Sequence, residues 1–83
     1  MPSRGATVLG APQPVRVRRG ARGAPAAVDA RAVECVLEEW VVEDRWWTGR
    51  PLRRRYFECV LESGRNVVVF FDIVRRRWFE QRA

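Results

Sequence analysis

The chain has 83 residues, a formal net charge of +6 at pH 7 and no histidine, and a chain of this length forms one domain at most. Its apolar runs fall far short of the roughly 20 residues that a membrane-spanning helix needs. The N-terminal stretch also lacks the apolar core of a secretory signal. We therefore expect a cytoplasmic protein that does not bind a membrane.

All sixteen basic residues are arginine, and they are unevenly distributed. Residues 1–32 hold six arginines and one acidic residue, whereas residues 33–83 hold ten arginines and nine acidic residues. The basic N-terminal part could bind polyanions through phosphate contacts. Alternatively, it serves only as a solvated arm, as many charge runs do.

The first part of the chain carries weak structural signals. Residues 1–13 are rich in Gly, Pro and Ala, so we predict a disordered lead followed by a single β domain over residues 14–83. Valine alternates with arginine in residues 14–19, which predicts a strand. The following turn residues, GARG, lead to a weak second strand over residues 26–30.

Residues 32–44 fit two secondary structures. Their valines and the final WVVED favour a strand, and we predict a strand because the rest of the chain also has a β pattern. A helix over residues 29–39 remains open. It rests on apolar residues at i, i+3, i+4 and i+7, namely Val33, Val36, Leu37 and Trp40.

The C-terminal part has the clearest pattern. Alternation of apolar and polar residues predicts strands over 54–62 and 76–82, and the apolar run at 66–74, after the turn at Ser63 and Gly64, predicts the returning strand between them. The 66–74 strand is apolar on both faces, so the sheet must curl or be covered. We therefore predict an all-β fold, a small antiparallel meander closing into a partly open SH3-like barrel of five or six strands.

The turn at Ser63 and Gly64 predicts a register for the first of these hairpins. A two-residue loop would place Glu62 opposite Arg65. Two apolar pairs then follow along the hairpin, Phe57 with Phe70 and Cys59 with Val68.

The sequence offers no catalytic or metal-binding pattern. Ser3 lies in the lead and Ser63 in a tight turn, and there is no phosphate loop, nucleophile elbow or metal-ligand spacing. Cys35 and Cys59 are too few for a disulfide framework or a zinc site. We predict that both are buried free thiols on neighbouring strands, and that the protein is not an enzyme and uses no cofactor or metal.

Arginine and aromatic residues are interleaved between Glu43 and Glu58. Such a mixture lines grooves for single-stranded nucleic acid, but it also fills and covers a minimal core. We predict a surface for a protein partner or nucleic acid, formed by Trp46, Trp47, Arg53, Arg55, Tyr56 and Phe71. Phosphate contacts would come from Arg16, Arg18, Arg19 and Arg22. We expect Trp40 and Trp78 in the core.

These motifs stand in an order that resembles a known family. The landmarks are Trp40, Asp44, Trp46 and Trp47, then RRYF at 54–57, Gly64 and Arg65, Phe70 and Asp72, and Trp78 and Phe79. Residues 33–82 resemble a domain of unknown function at the C-terminal end of ImuB-type proteins, which are catalytically inactive relatives of Y-family DNA polymerases. Small stand-alone relatives occur in GC-rich bacteria. The use of arginine for all sixteen basic residues agrees with a GC-rich genome.

The resemblance implies a non-catalytic adaptor associated with translesion DNA synthesis and DNA repair, with a polymerase-type repair protein as its partner. A single-stranded nucleic-acid-binding module is the second hypothesis. The third is a structural fragment whose Trp and Arg residues only hold a minimal fold. We expect a monomer or a weak dimer.

Overall fold

Seven antiparallel strands form one sheet that curls into an open half-barrel in the computed structural model, which describes residues 11–44 and 52–81. The strands are β1 Gln13–Pro14, β2 Val17–Arg19, β3 Pro25–Val28, β4 Arg31–Asp44, β5 Leu52–Leu61, β6 Asn66–Asp72 and β7 Arg77–Gln81. Their order is β1-β7-β6-β5-β4-β3-β2. The predicted all-β, barrel-like fold is confirmed, with seven strands in place of five or six.

The segment from β1 to β2 links the two ends of the strand order. β1 pairs with β7, and the backbone N–H of Val15 donates to the carbonyl of Trp78 at 3.2 Å. β2 then pairs with β3, where Val17 lies opposite Val28. The predicted 14–19 strand is therefore divided between two partners. Gln13, which we assigned to the disordered lead, already lies in β1.

The turn between β3 and β4 shortens the second predicted strand. Asp29 and Ala30 have positive φ angles of 53° and 81°, as a two-residue hairpin turn requires. The Asp29 carboxylate accepts the backbone N–H of Arg16 at 2.8 Å. Residues 29 and 30 are consequently a turn anchored to the first segment and are not part of the strand.

A β-bulge explains why Val33 and Val36 have a helical spacing although they belong to a strand. β4 is a strand throughout, so the helical alternative is wrong, and its pairing with β5 shifts between Val33 and Cys35 and again between Val36 and Glu38. Each bulge adds one residue and changes the side-chain alternation. Val33 and Val36 therefore both pack against the core, although their spacing is helical.

The β5–β6 register differs by one residue from the prediction. Phe57 lies opposite Val69 and Cys59 opposite Val67, so the predicted pairs Phe57–Phe70, Cys59–Val68 and Glu62–Arg65 are wrong. The backbone N–H of Leu61 donates to the Arg65 carbonyl at 2.8 Å, which makes the loop three residues long. Gly64 has a φ of 93° and provides the left-handed residue that such a loop needs.

The core lies on one face of the sheet, which we call the inner face. Its buried members are Val28, Phe57, Cys59, Leu61, Val67 and Val69. Trp78 packs against them as predicted. Trp40 does not, because it lies on the opposite, outer face and is 37% exposed.

A partly buried ion pair joins strands that are not neighbours. Glu80 of β7 is buried, and its Oε1 lies 3.0 Å from Nη2 of Arg31 at the start of β4. The Arg31 Nε–H also donates to the Val28 carbonyl at 3.1 Å. The pair thus connects both sides of the curled sheet across its inner face.

The two cysteines differ in exposure, although we predicted both to be buried. Cys59 is fully buried, whereas Cys35 is exposed because it follows the first bulge of β4. Burial, and secondarily the neighbouring Cys35 and Glu58, raises the pKa of the Cys59 thiol from 9.0 to about 11. Cys59 is therefore protonated under ordinary conditions, and only Cys35 is accessible.

We expect iodoacetamide at pH 8 to modify Cys35 in the native protein and to leave Cys59 intact, because about one Cys59 thiol in a thousand would be ionised. Both should react in denaturant, and peptide mass spectrometry would measure each site. The folded-state pKa of Cys59 lies above its unfolded value, so its contribution to stability is present below pH 9 and declines as pH rises toward 11. Equal alkylation rates in the native protein would contradict this assignment.

Candidate functional site

A cleft of about 190 Å³ opens on the inner face beside the core, and we call it the aromatic cleft. It is lined by Arg19, Gly23, Arg55, Phe57, Phe71, Ile73 and Trp78. Arg55 lies opposite Phe71, and Phe71 lies opposite Trp78. Directly opposed residues share a face, so β5, β6 and β7 each contribute one side chain to a continuous row.

Aromatic contacts shape the cleft wall. The Phe71 and Trp78 rings are 5.2 Å apart at 52°, and the Phe57 and Trp78 rings are 5.7 Å apart at 38°. The Arg19 guanidinium lies 5.0 Å from the Phe71 centroid and 5.5 Å from that of Trp78. Arg19 therefore makes cation–π contacts with both rings at the rim.

A row of ion pairs continues from the cleft along β4 and β5. The Arg53 Nε–H donates to Glu43 Oε2 at 2.8 Å, and the Arg55 Nε–H donates to Glu39 Oε2 at 2.6 Å. All four side chains are between 42% and 47% exposed, so the pairs contribute little stability. They do neutralise the two arginines that we predicted for the partner or nucleic-acid surface.

The structure brings together some of the predicted site residues and separates others. Phe71, Arg55 and Arg19 meet in the aromatic cleft, with Arg53 adjacent in the ion-pair row. Tyr56 lies on the outer face, because neighbours along a strand point to opposite sides. The remaining arginines of the basic stretch, Arg16, Arg18 and Arg22, are exposed. Trp46 and Trp47 lie outside the described residues.

The outer face carries an aromatic ladder that sequence reasoning did not identify. One ring comes from each of β4 to β7, in the order Trp40, Tyr56, Phe70 and Phe79. Trp40 and Tyr56 are stacked with centroids 5.3 Å apart and planes 6° apart, and Phe70 and Phe79 are also 5.3 Å apart. Only a correct register reveals the ladder, because its members are cross-strand partners.

Arginines cover part of the aromatic ladder. The Arg54 guanidinium lies 4.5 Å from the Phe70 centroid and donates from Nη1 to the Tyr56 hydroxyl at 3.2 Å. Its buried Nε has no hydrogen-bond acceptor among the described residues. Arg77 lies 5.8 Å from the Phe79 centroid. Phe70 is buried beneath these contacts, so Trp40 is the ring most open to solvent.

Asp72 holds the turn between β6 and β7. It is 4% exposed, and its Oδ1 accepts the backbone N–H of Arg75 at 2.9 Å. The Arg75 guanidinium lies 3.7 Å from Oδ2. This capping also explains why β6 ends at Asp72, two residues before the predicted strand end.

Within residues 11–44 and 52–81, no group of three or more Cys, Asp or Glu residues is placed to hold a metal ion. That part of the chain also contains no helix long and apolar enough to cross a membrane. Comparison with protein-family models, with curated proteins and with solved structures found no match. The family resemblance drawn from the sequence therefore stays a prediction.

Proposed function

We propose that the protein is a non-catalytic adaptor module that binds a protein partner through the aromatic cleft. In line with the resemblance, we place that partner among the polymerase-type proteins of translesion DNA synthesis. The observation that carries the proposal is a cleft with aromatic walls and arginines at its rim. Its volume is about 190 Å³, whereas small-molecule sites typically enclose about 300–1,000 Å³. A cleft of this size suits one large side chain.

The charges near the cleft favour a protein partner over nucleic acid. Arg53 and Arg55 are paired with Glu43 and Glu39, and Arg19 rests on two rings. Phosphate binding would have to compete with these contacts. Protein hot spots, by contrast, use aromatic anchors in desolvated pockets with arginine nearby.

We expect Ile73→Glu to weaken partner binding at least about tenfold, because it puts a charge into a pocket that must be desolvated. The backbone N–H of Ile73 would still donate to the Arg53 carbonyl, a bond of 2.9 Å. Isothermal titration calorimetry against the purified ImuB-type protein of the same genome measures the effect. Val74→Glu is the matched control, since Val74 is 51% exposed and does not line the cleft.

The outcomes are distinct. Loss of partner binding by Ile73→Glu but not by Val74→Glu would support the cleft as the docking site, as would a partner affinity that depends only weakly on salt concentration. Equal binding by both variants would contradict the proposed site. Absence of binding by the wild-type chain to any purified translesion polymerase component would contradict the proposed partner class.

The aromatic ladder favours a second candidate function, binding of single-stranded nucleic acid on the outer face. Trp40 is 37% exposed and could stack on a base, while Arg77, over Phe79 at the other end of the ladder, and Arg75 are exposed. Titration of a labelled oligonucleotide at low and physiological salt would test it. Micromolar binding that weakens steeply with salt would support this function, and no binding at low salt would exclude it.

A further inference from the structure

Within residues 11–44 and 52–81, one edge of β4 has no pairing strand over most of its length. β5 pairs with it from Val33 to Asp44. On the other side, β3 pairs only with Arg31 and Ala32. Among the described residues no strand covers that side beyond Ala32. An edge of this kind exposes a row of backbone donors and acceptors to other chains.

The hydrogen bonds of β5 identify which residues of β4 face this free edge. Ile73 N–H donates to the Arg53 carbonyl, so Arg53 and Arg55 direct their backbone groups toward β6. Tyr56, the next residue along β5, therefore directs its backbone groups toward β4, where its partner is Trp40. By the same alternation, the N–H and C=O groups of Glu39, Val41 and Glu43 point to the free edge.

This part of the edge is regular. The bulges of β4 lie before Glu38, and the register from Glu38 to Asp44 is continuous. Natural edge strands are commonly blunted by bulges, proline or charged side chains. This stretch has no bulge and no proline, and its inner-face charges, Glu39 and Glu43, restrict which strands can pair with it. A further strand could therefore pair with it without a shift.

The side chains of the edge define the chemistry of a partner. Val41 is 54% exposed and lies between Glu39 and Glu43 on the same face. Arg55 and Arg53 donate to the Oε2 atoms of these glutamates. The Glu39 and Glu43 side chains remain 42% and 44% exposed, so each carboxylate is accessible to a second basic side chain.

We propose that the β4 edge Glu39–Glu43 accepts an extended segment of a partner protein as an added antiparallel strand, with Arg or Lys two residues to either side of a β-branched residue. Main-chain hydrogen bonds would supply affinity, and the charged positions would supply specificity. This surface shares Arg55 with the rim of the aromatic cleft, but its main-chain groups belong to β4, which does not line the cleft, and the inference does not depend on the proposed function.

Charge argues against a second copy of the chain as the occupant. Antiparallel pairing of two copies about Val41 would place Glu39 opposite Glu43 twice. Pairing about Trp40 would place Glu39 diagonally next to Glu43. Like charges at such positions destabilise strand pairing, whereas a basic segment gains from the same carboxylates.

The test uses the full chain and a labelled peptide, Arg-Thr-Val-Tyr-Arg between glycines, in a fluorescence anisotropy titration. We expect it to bind the wild-type chain, and the matched peptide with Glu in place of both Arg residues not to bind. Val41→Pro removes the outward N–H and should weaken binding about tenfold. Val41→Thr keeps the N–H and should bind like wild type.

A second set of titrations changes the peptide instead of the protein, so its result does not depend on the folding of a variant. N-methylation of the peptide's central residues should abolish binding if main-chain bonds hold the strand. Equal binding of the methylated peptide, of the acidic peptide or by Val41→Pro would overturn the proposal, as would no binding by the wild-type chain. Sedimentation equilibrium showing a dimer that Val41→Pro dissociates would assign the edge to a second copy.

Discussion

Phe57→Ala is expected to lower the free energy of unfolding by about 3–5 kcal/mol, which is most of the stability of a domain of this size. Phe57 is 1% exposed at the centre of the core. Its ring also contacts Trp78, with the centroids 5.7 Å apart, and the Arg55 guanidinium, 5.5 Å from its centroid. The substitution would therefore leave a cavity beneath the aromatic cleft as well as remove buried apolar area.

Urea denaturation followed by far-ultraviolet circular dichroism measures this loss. Val74→Ala is the control, and we expect it to change the unfolding free energy by less than about 0.5 kcal/mol, since Val74 is 51% exposed. A cost below about 1 kcal/mol for Phe57→Ala would mean that the site collapses freely, and would contradict a tightly packed core around this ring.

Arg31→Met is expected to cost about 2–3 kcal/mol, because it leaves the buried carboxylate of Glu80 without its cation. Breaking a fully buried pair costs about 3–5 kcal/mol, and the estimate is reduced because the Arg31 side chain is 37% exposed whereas that of Glu80 is 7% exposed. The pair joins β4 to β7 across the half-barrel, so its loss should also loosen the curl of the sheet.

A double-mutant cycle separates the ion pair from packing. Arg31→Met combined with Glu80→Leu should recover most of the lost stability, since an apolar pair needs no desolvation of charge. Arg53→Met serves as the control, because its pair with Glu43 is exposed and should contribute less than about 1 kcal/mol. An Arg31→Met variant as stable as wild type would show that water or other donors satisfy the Glu80 carboxylate, and would contradict a stabilising role for the ion pair.

The strands of the C-terminal meander could be predicted because a period of two is unambiguous where one face is buried. β4 was harder to assign, since its first bulge, between Val33 and Cys35, brings Val33 and Val36 to one face at a helical spacing. The register of the β5–β6 hairpin depended on turn type. Gly64 allows a three-residue loop, and the composition of the turn alone did not distinguish that loop from a two-residue one.

The candidate site could be predicted only in part, for the same reason. Arg55 and Phe71 were identified from residue type, and they share the aromatic cleft. Tyr56 was grouped with them, although its place next to Arg55 in a strand puts it on the outer face. The contacts of Trp78 with Phe71 and of Arg19 with both rings depend on register and curl, which a single sequence does not specify.

Arg55 connects the two surfaces proposed for partners. It lines the aromatic cleft, and it pairs with Glu39 on the free edge of β4. A partner segment that adds to β4 and also places a side chain in the cleft would therefore lie next to Arg55 at both surfaces. Engagement of both surfaces by one partner would raise affinity without new contacts at either surface.

The most direct measurement is an amide and indole N–H correlation spectrum of the ¹⁵N-labelled chain, recorded with the purified ImuB-type protein and, separately, with a single-stranded oligonucleotide. We predict that the protein partner broadens the signals of Arg19, Phe71, Ile73 and the Trp78 indole, while the outer-face signals of Trp40 and Phe79 persist. A spectrum in which the partner leaves the cleft signals unchanged, while the oligonucleotide shifts those of the aromatic ladder, would contradict a protein-docking function and assign the protein to nucleic acid.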